Sequence, residues 1–269
     1  MSEGDLRVLV IGAAGKMGQE TMRAVSVAHD MELVGAVDKG ERIESARSIA
    51  GPDVADIPVD NKLGSVLNAT KPDVAIDFTH MLAAPEHAMS CLKRGVPVII
   101  GTSGISPTDL SAIRESCREF STPAALIPNF AVGAVLMVRF CELAAAWLPD
   151  VEIIERHHKA KLDAPSGTAM HTAECIAEAR KEVPRATQGT TEKAAGARGG
   201  KVKDVTVHSV RLPGYVASQE VVFGGDGELL TVRHDSVDRR SFMPGVLLAV
   251  RQIRSFEGLV VGLDKFMFR

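Results

Sequence analysis

The densest chemistry of this chain lies in His157-His158-Lys159-Ala160-Lys161-Leu162-Asp163-Ala164-Pro165-Ser166-Gly167-Thr168-Ala169. Histidine exchanges a proton near neutral pH, and lysine can donate one or hold an anion. His157 and Lys161 stand four apart, so in an extended or a helical backbone they point to roughly the same side. Such a pair suits proton transfer beside a bond being reduced. Gly167 and Thr168 fall where a helix should begin, and a fresh helix N-terminus turns backbone N–H groups toward a carboxylate or phosphate. Asp163 and Ser166 read as turn or capping residues. A lone His or Lys would be a solvated surface group. The density of the cluster argues instead for a pocket that binds an anion and protonates it.

A second motif stands near the N-terminus. A continuous apolar run, Arg7 to Ile11, passes into Gly12-Ala13-Ala14-Gly15-Lys16-Met17-Gly18, and a helix-like stretch follows. Glycines there permit a tight strand-to-helix turn and close approach of a pyrophosphate to the backbone. The helix N-terminus adds its N–H groups and the positive end of its dipole. Asp38, at the end of the second strand, has the offset of an acid that hydrogen-bonds an adenosine ribose. Lys39 beside it can meet a ribose 2′-phosphate, so the pair predicts use of NADH or NADPH. The spacing is GxxGxxG rather than strict GxGxxG. A glycine loop alone is weak, and here the strand, the helix and the placed acid strengthen it.

These motifs need elements to hold them. From Leu6 to Ile127 short apolar strands alternate with helices, the pattern of a parallel sheet covered on both faces. After Asn129 come a long helix (about 132–147), the Val151 strand, the His/Lys segment and a helix from about Thr168 to Lys181. Pro184 to Lys203 reads as one long loop. Asp204 to Leu212, Val216 to Phe223 and Glu228 to His234 read as antiparallel strands joined by turns. Phe242 to Phe256 is helix-like and apolar, suited to a return to the first domain. The expectation is an α/β chain: a Rossmann-like parallel-sheet dinucleotide-binding domain (1–129 and 239–269) plus an α+β substrate-binding and oligomerisation domain with a mixed sheet (130–238).

Composition sets the outer bounds. With 269 residues, 45% apolar and 24% charged, the chain can bury a substantial core. A net charge of −3 points to neither a nucleic-acid nor a membrane-surface partner. Cys91, Cys117, Cys141 and Cys175 are scattered with no CxxC pair, as expected of reduced thiols in a cytosolic protein. No signal peptide is visible, and the apolar stretch from Leu126 to Leu148 is broken by Pro128, Asn129, Arg139 and Glu142. No metal site is expected.

In five blocks the chain resembles the dihydrodipicolinate (4-hydroxy-tetrahydrodipicolinate) reductase family of lysine and diaminopimelate biosynthesis. They are Gly12 to Gly18, Ile76-Asp77-Phe78-Thr79, Gly101-Thr102-Ser103-Gly104, Pro128-Asn129-Phe130-Ala131-Val132-Gly133, and Glu155-Arg156-His157-His158 through Thr168. The resemblance implies NAD(P)H-dependent reduction of a cyclic dicarboxylate imine. It implies that His157 and Lys161 are the acid/base pair and that His158, Lys161, Gly167 and Thr168 bind the carboxylates. It also implies a cofactor lined by Gly12, Ala13, Ala14, Gly15, Lys16, Met17, Asp38, Lys39, Phe78, Gly101, Thr102, Ser103, Pro128, Asn129 and Phe130. A homotetramer, and a location in the cytoplasm or a plant plastid stroma, are implied as well. Thr79 is followed by His80-Met81-Leu82, where the family pattern has a proline two residues after the threonine, and this bears on nucleotide preference. The competing readings are another imine or amino-acid dehydrogenase, which need not carry the His/Lys segment, and a non-catalytic nicotinamide-nucleotide-binding module, which would have lost His157 or Lys161.

Overall fold

The computed structural model describes residues 4–40, 45–181 and 191–268. The chain divides into two compact units, one reaching Phe130 and resuming at Phe242, the other spanning Ala131–Ser241. In the first, β1 (Leu6–Ile11), α1 (Lys16–Val27), β2 (Met31–Val37), α2 (Ala46–Ala50), β3 (Val59–Asp60) and α3 (Leu63–Thr70) come first. They are followed by β4 (Val74–Asp77), α4 (Ala84–Leu92), β5 (Val98–Ile100), α5 (Pro107–Glu119) and β6 (Ala124–Leu126). The second unit holds α6 (Val132–Ala145), β7 (Asp150–His157), α7 (Gly167–Ala179), β8 (Gly200–Val202), β9 (Val205–Arg211), β10 (Ala217–Gly225) and β11 (Glu228–Ser236). The chain then returns to the first unit with α8 (Met243–Gln252), β12 (Leu259–Val261) and α9 (Asp264–Met267).

The first unit is a seven-stranded sheet in the order β12-β6-β5-β4-β1-β2-β3. Every pairing in it is parallel. Its strands are apolar runs rather than alternating patterns because helices cover both faces; Val8, Leu9, Val10 and Ile11 are all buried. The chain moves outward one way from β1 to β3 and the other way from β4 to β12. The carboxyl ends of the adjacent β1 and β4 therefore open the crevice where such sheets take ligands. Residues 46–70 add α2, β3 and α3, none of them anticipated from sequence, since β3 has only two residues and no readable period.

The second unit is a five-stranded mixed sheet, β11-β10-β7-β9-β8, with α6 and α7 against it. Met137, Cys141, Ile153, Ala173, Ile176, Val207, Val221 and Phe223 form its core. Phe223 and Ile153 are fully buried, so truncating either to Ala costs roughly 2–5 kcal/mol. The expected run of antiparallel neighbours is only partly right. β10 and β11 do form a hairpin, paired from Ala217↔Ser236 to Gly225↔Glu228. β9 and β10 do not pair, because β7 lies between them, parallel to β9 and antiparallel to β10. Gly200–Val202, expected within a loop, is a strand paired with β9. The loop's first part, through residue 190, falls outside the described residues.

Candidate active site

β7 is the central strand of its sheet, and its alternation sets the site. Val151 and Ile153 face the core, and the same register sends Glu155 inward, fully buried. A buried carboxylate must be paired or it is costly, and Glu155 is surrounded by donors. Arg211, from the end of β9, grips it with both terminal nitrogens, at 2.8 Å to Oε1 and 2.9 Å to Oε2. The Ser166 N–H reaches Oε1 at 3.3 Å, and His157 Nδ1 lies 2.5 Å from Oε2. Burial alone would raise this carboxyl's pKa. Hydrogen bonds from His157, Arg211 and Ser209 outweigh burial and lower it from 4.5 to about 2. An ionised carboxylate only accepts, so Nδ1 carries the proton and Nε2 is the nitrogen left to act.

Past His157 the chain leaves the sheet. His158 is exposed, and its carbonyl accepts from the Lys161 N–H at 3.1 Å. The Lys161 ammonium reaches both oxygens of Asp163, at 2.7 and 3.0 Å. That bond, foremost, holds Asp163 below the usual carboxylate range. Arg211 also donates to the Asp163 carbonyl at 2.7 Å, tying this loop to the same guanidinium that grips Glu155. Ser166 then caps α7, its hydroxyl accepting from the Ala169 N–H at 3.2 Å, as its sequence position suggests. Gly167 opens the helix; a Cβ built on it would meet nothing within 4 Å, so a ligand can approach the first turn. His157, His158, Lys161, Gly167 and Thr168 are thus gathered on one strand end, one loop and one helix start.

The first unit carries the glycine loop. Gly12 has φ +80°, and an added Cβ would sit 3.0 Å from the Phe78 backbone, so only glycine fits. At Gly18 a Cβ would fall 2.1 Å from the Gly12 carbonyl, which is how closely α1 lies on the loop. No side chain caps α1, leaving its first N–H groups to a ligand or water. The Ala13 N–H is used within the fold, on the Val37 carbonyl at 3.1 Å. Asp38 accepts from the Ala14 N–H and the Gly40 N–H, each at 2.9 Å, and so braces the loop while its remaining lone pairs stay available.

A cleft of roughly 290 Å³ lies there, and Gly12, Gly15, Asp38, Lys39 and Phe78 line it. Ala13, Ala14, Lys16, Met17, Gly101, Thr102, Ser103, Pro128, Asn129 and Phe130 are not in its wall. Phe78 meets Phe130 edge-on, with ring centroids 5.5 Å apart, and Thr102 Oγ1 donates to the Thr79 carbonyl at 2.9 Å. The strand-end turns of β4, β5 and β6 are knitted together by these contacts. Sequence reasoning missed Asn61 and His87 in the wall; Thr79 and His80 it tied only to nucleotide preference. It also missed buried Asp77, which accepts from the Thr79 N–H and hydroxyl and from His87 Nδ1. In the second unit it missed Arg211 altogether and gave Glu155 no role.

The glycine-loop cleft at the switch point of the Rossmann-type sheet and, in the other unit, the cluster of histidines and lysine that ends β7 are the parts of a dinucleotide-dependent oxidoreductase. Family models place it more narrowly: "Dihydrodipicolinate reductase, N-terminus" matches residues 6–130 and "Dihydrodipicolinate reductase, C-terminus" matches 133–267. The chain belongs to the dihydrodipicolinate reductase family. It is 46% identical over 264 residues to the 4-hydroxy-tetrahydrodipicolinate reductase of Syntrophomonas wolfei, covering 97% of this chain and 98% of that one. It is 45% identical over 262 residues to that of Moorella thermoacetica, with the same coverage. The solved dipicolinate-bound dihydrodipicolinate reductase of Paenisporosarcina sp. TG-14 superposes with a TM-score of 0.85 at 42% identity, covering 97% of this chain and 99% of that one. A probable dehydrogenase from Thermotoga maritima, 11% identical with a TM-score of 0.67, shares the fold alone.

Proposed function

We propose that this chain reduces 4-hydroxy-tetrahydrodipicolinate to tetrahydrodipicolinate and water, consuming NADH or NADPH and one proton, in lysine and diaminopimelate biosynthesis. The observation that carries this reading is Glu155 tying His157 to the N-cap of α7, with His158 and Lys161 on the short connection between them, in a chain whose relatives of that name match 97% of it. The dipicolinate bound to the Paenisporosarcina relative is a planar cyclic dicarboxylate, the shape and charge this constellation suits.

Family and fold imply a nicotinamide cofactor. The glycine loop fits one: Gly12 tolerates no side chain, α1 is uncapped, and Asp38 keeps acceptor capacity for a ribose. Bound there, the reduced nicotinamide supplies the hydride. Lys39, exposed beside Asp38, serves a 2′-phosphate, so both nucleotides are used. On the substrate side, Lys161 meets the carboxylates as a cation and His158 as a hydrogen-bond donor. The Gly167 and Thr168 backbone meets them as the positive end of a helix. His157, with Lys161 close by in sequence, delivers the proton to the ring carbon left electron-rich once hydride has added to its conjugated neighbour.

A homotetramer in the cytoplasm completes the proposal. The outer strand β11 is an exposed edge with Leu229 and Leu230 in solvent, and such edges need a cover. The four unpaired cysteines suit a reducing compartment. Cofactor deuterated at the transferring position of C4 provides the test. The label should appear on a ring carbon of the product by mass spectrometry, and unlabelled product would rule out direct hydride transfer.

A further inference from the structure

Glu155 lies outside every catalytic and binding role assigned so far, yet it is a fully buried and heavily bonded carboxylate of the second unit. Its two oxygens accept from both terminal nitrogens of Arg211, the Ser166 N–H, His157 Nδ1 and the Ser209 hydroxyl. These donors come from different parts of the site. His157 ends β7, Arg211 ends β9, and Ser166 begins α7. Through its bond to the Asp163 carbonyl, Arg211 also fixes the loop that carries Lys161.

From this geometry we propose that Glu155, held by Arg211, is the positioning residue that locks the His157 ring with Nδ1 protonated and Nε2 turned to the substrate. The proposal rests on His157 carrying the proton of the reductase reaction. An imidazole free to rotate or to exchange tautomers would present the wrong nitrogen for part of its time. One Nδ1–H bond to a fixed anion removes both freedoms. Arg211 has a second effect. Its bidentate contact compensates the carboxylate's charge, so Glu155 orients the ring without holding the imidazolium proton too tightly to give it up.

The surroundings make Glu155→Gln informative. All neighbours of the two oxygens are donors, so an amide NH₂ placed at either position faces a donor. The Arg211 guanidinium and the Ser166 N–H can only donate; the imidazole, by moving its proton to Nε2, and the Ser209 hydroxyl, by rotating, can accept. With the amide nitrogen opposite His157 the tautomer inverts, and Ser209→Ala beside Glu155→Gln removes the competing acceptor. Nitrogen-15 NMR of the imidazole should show Nδ1–H in the parent and Nε2–H in the double variant. The kcat should fall about 10- to 100-fold while substrate KM and cofactor affinity stay within about threefold. In a His157→Ala background, Glu155→Gln should cost less than about twofold more, because a positioning residue has nothing left to position.

A parental kcat in Glu155→Gln beside an impaired His157→Ala would overturn the proposal alone. So would an undiminished cost of Glu155→Gln in the His157→Ala background, which would mark Glu155 as support for the loop. A parental rate in His157→Ala would overturn the acid–base reading itself and the proposal with it. Should Glu155→Gln fail to fold, Glu155→Asp takes its place. It keeps the charge and the Nδ1–H tautomer but withdraws the anchor by one methylene, and should lower kcat at unchanged KM. Parental kcat there would overturn the proposal.

Discussion

Lys161 and His157 differ in how they are held, and their variants should differ accordingly. Lys161 is tethered at its tip by Asp163, on an exposed loop; His157 is tethered at its inner nitrogen by a buried anion. His157→Ala and Lys161→Ala should each lower kcat by about 10²- to 10⁴-fold. Lys161→Ala should also raise substrate KM if, as proposed, its charge meets a substrate carboxylate. Near-parental steady-state constants in both would refute the assignment. Glu155 adds a pH dependence. Its folded pKa lies below its ordinary value, about 2 against 4.5, so its contribution is complete above about pH 4.5 and disappears as pH falls toward 2. Denaturant melts of the parent and Glu155→Gln should show their stability gap narrowing by about 2 kcal/mol between pH 6 and pH 3. His157 and Lys161 were legible because reactive residue types crowd together. Glu155 left a fainter mark, a charge in the inward register of Val151 and Ile153. Arg211 left none, because it reaches the site through strand pairing 56 residues away from Glu155.

Helices set the cofactor loops through two contacts that leave no room for a methyl group. α1 presses Gly18 on the Gly12 carbonyl, and α8 presses Gly245 on the Phe130 carbonyl, each with a would-be Cβ at 2.1 Å. Gly18→Ala must push α1 away from the loop it opens, so NADH and NADPH should bind at least about tenfold more weakly by titration calorimetry. Gly15→Ala, with its nearest contact at 3.2 Å, should be milder. Equal losses in the two would contradict this packing account. The returning helix is also pinned at the surface, where Arg251 meets Asp30 at 2.7 Å. A pair this exposed adds only a few tenths of a kcal/mol to about 1 kcal/mol. The strand–glycine–helix start was readable because local chemistry demands it. The place of β7 between β9 and β10 was not, since non-local pairing has no local signature.

Over the whole chain there are two sheets: a parallel one whose switch point carries the glycine loop, and a mixed one whose central strand ends in the proposed acid–base pair. Because the cofactor cleft is built wholly from the first unit, His157→Ala should bind NADH as the parent does, within about twofold by fluorescence. Light scattering should give the mass of four 28.6 kDa chains, and a charged residue at Leu229 should lower it. The alternation of strands and helices foretold the parallel sheet and a second, mixed one. Glu155 emerges as a hub only when Arg211, from a strand 56 residues on, meets it, whereas buried Asp77 is held by nearby Thr79 and His87. The most direct measurement follows absorbance of the reduced nicotinamide when the purified chain meets enzymatically generated 4-hydroxy-tetrahydrodipicolinate. Substrate-dependent oxidation of both NADH and NADPH is the expected result, and no turnover with either nucleotide would contradict the account.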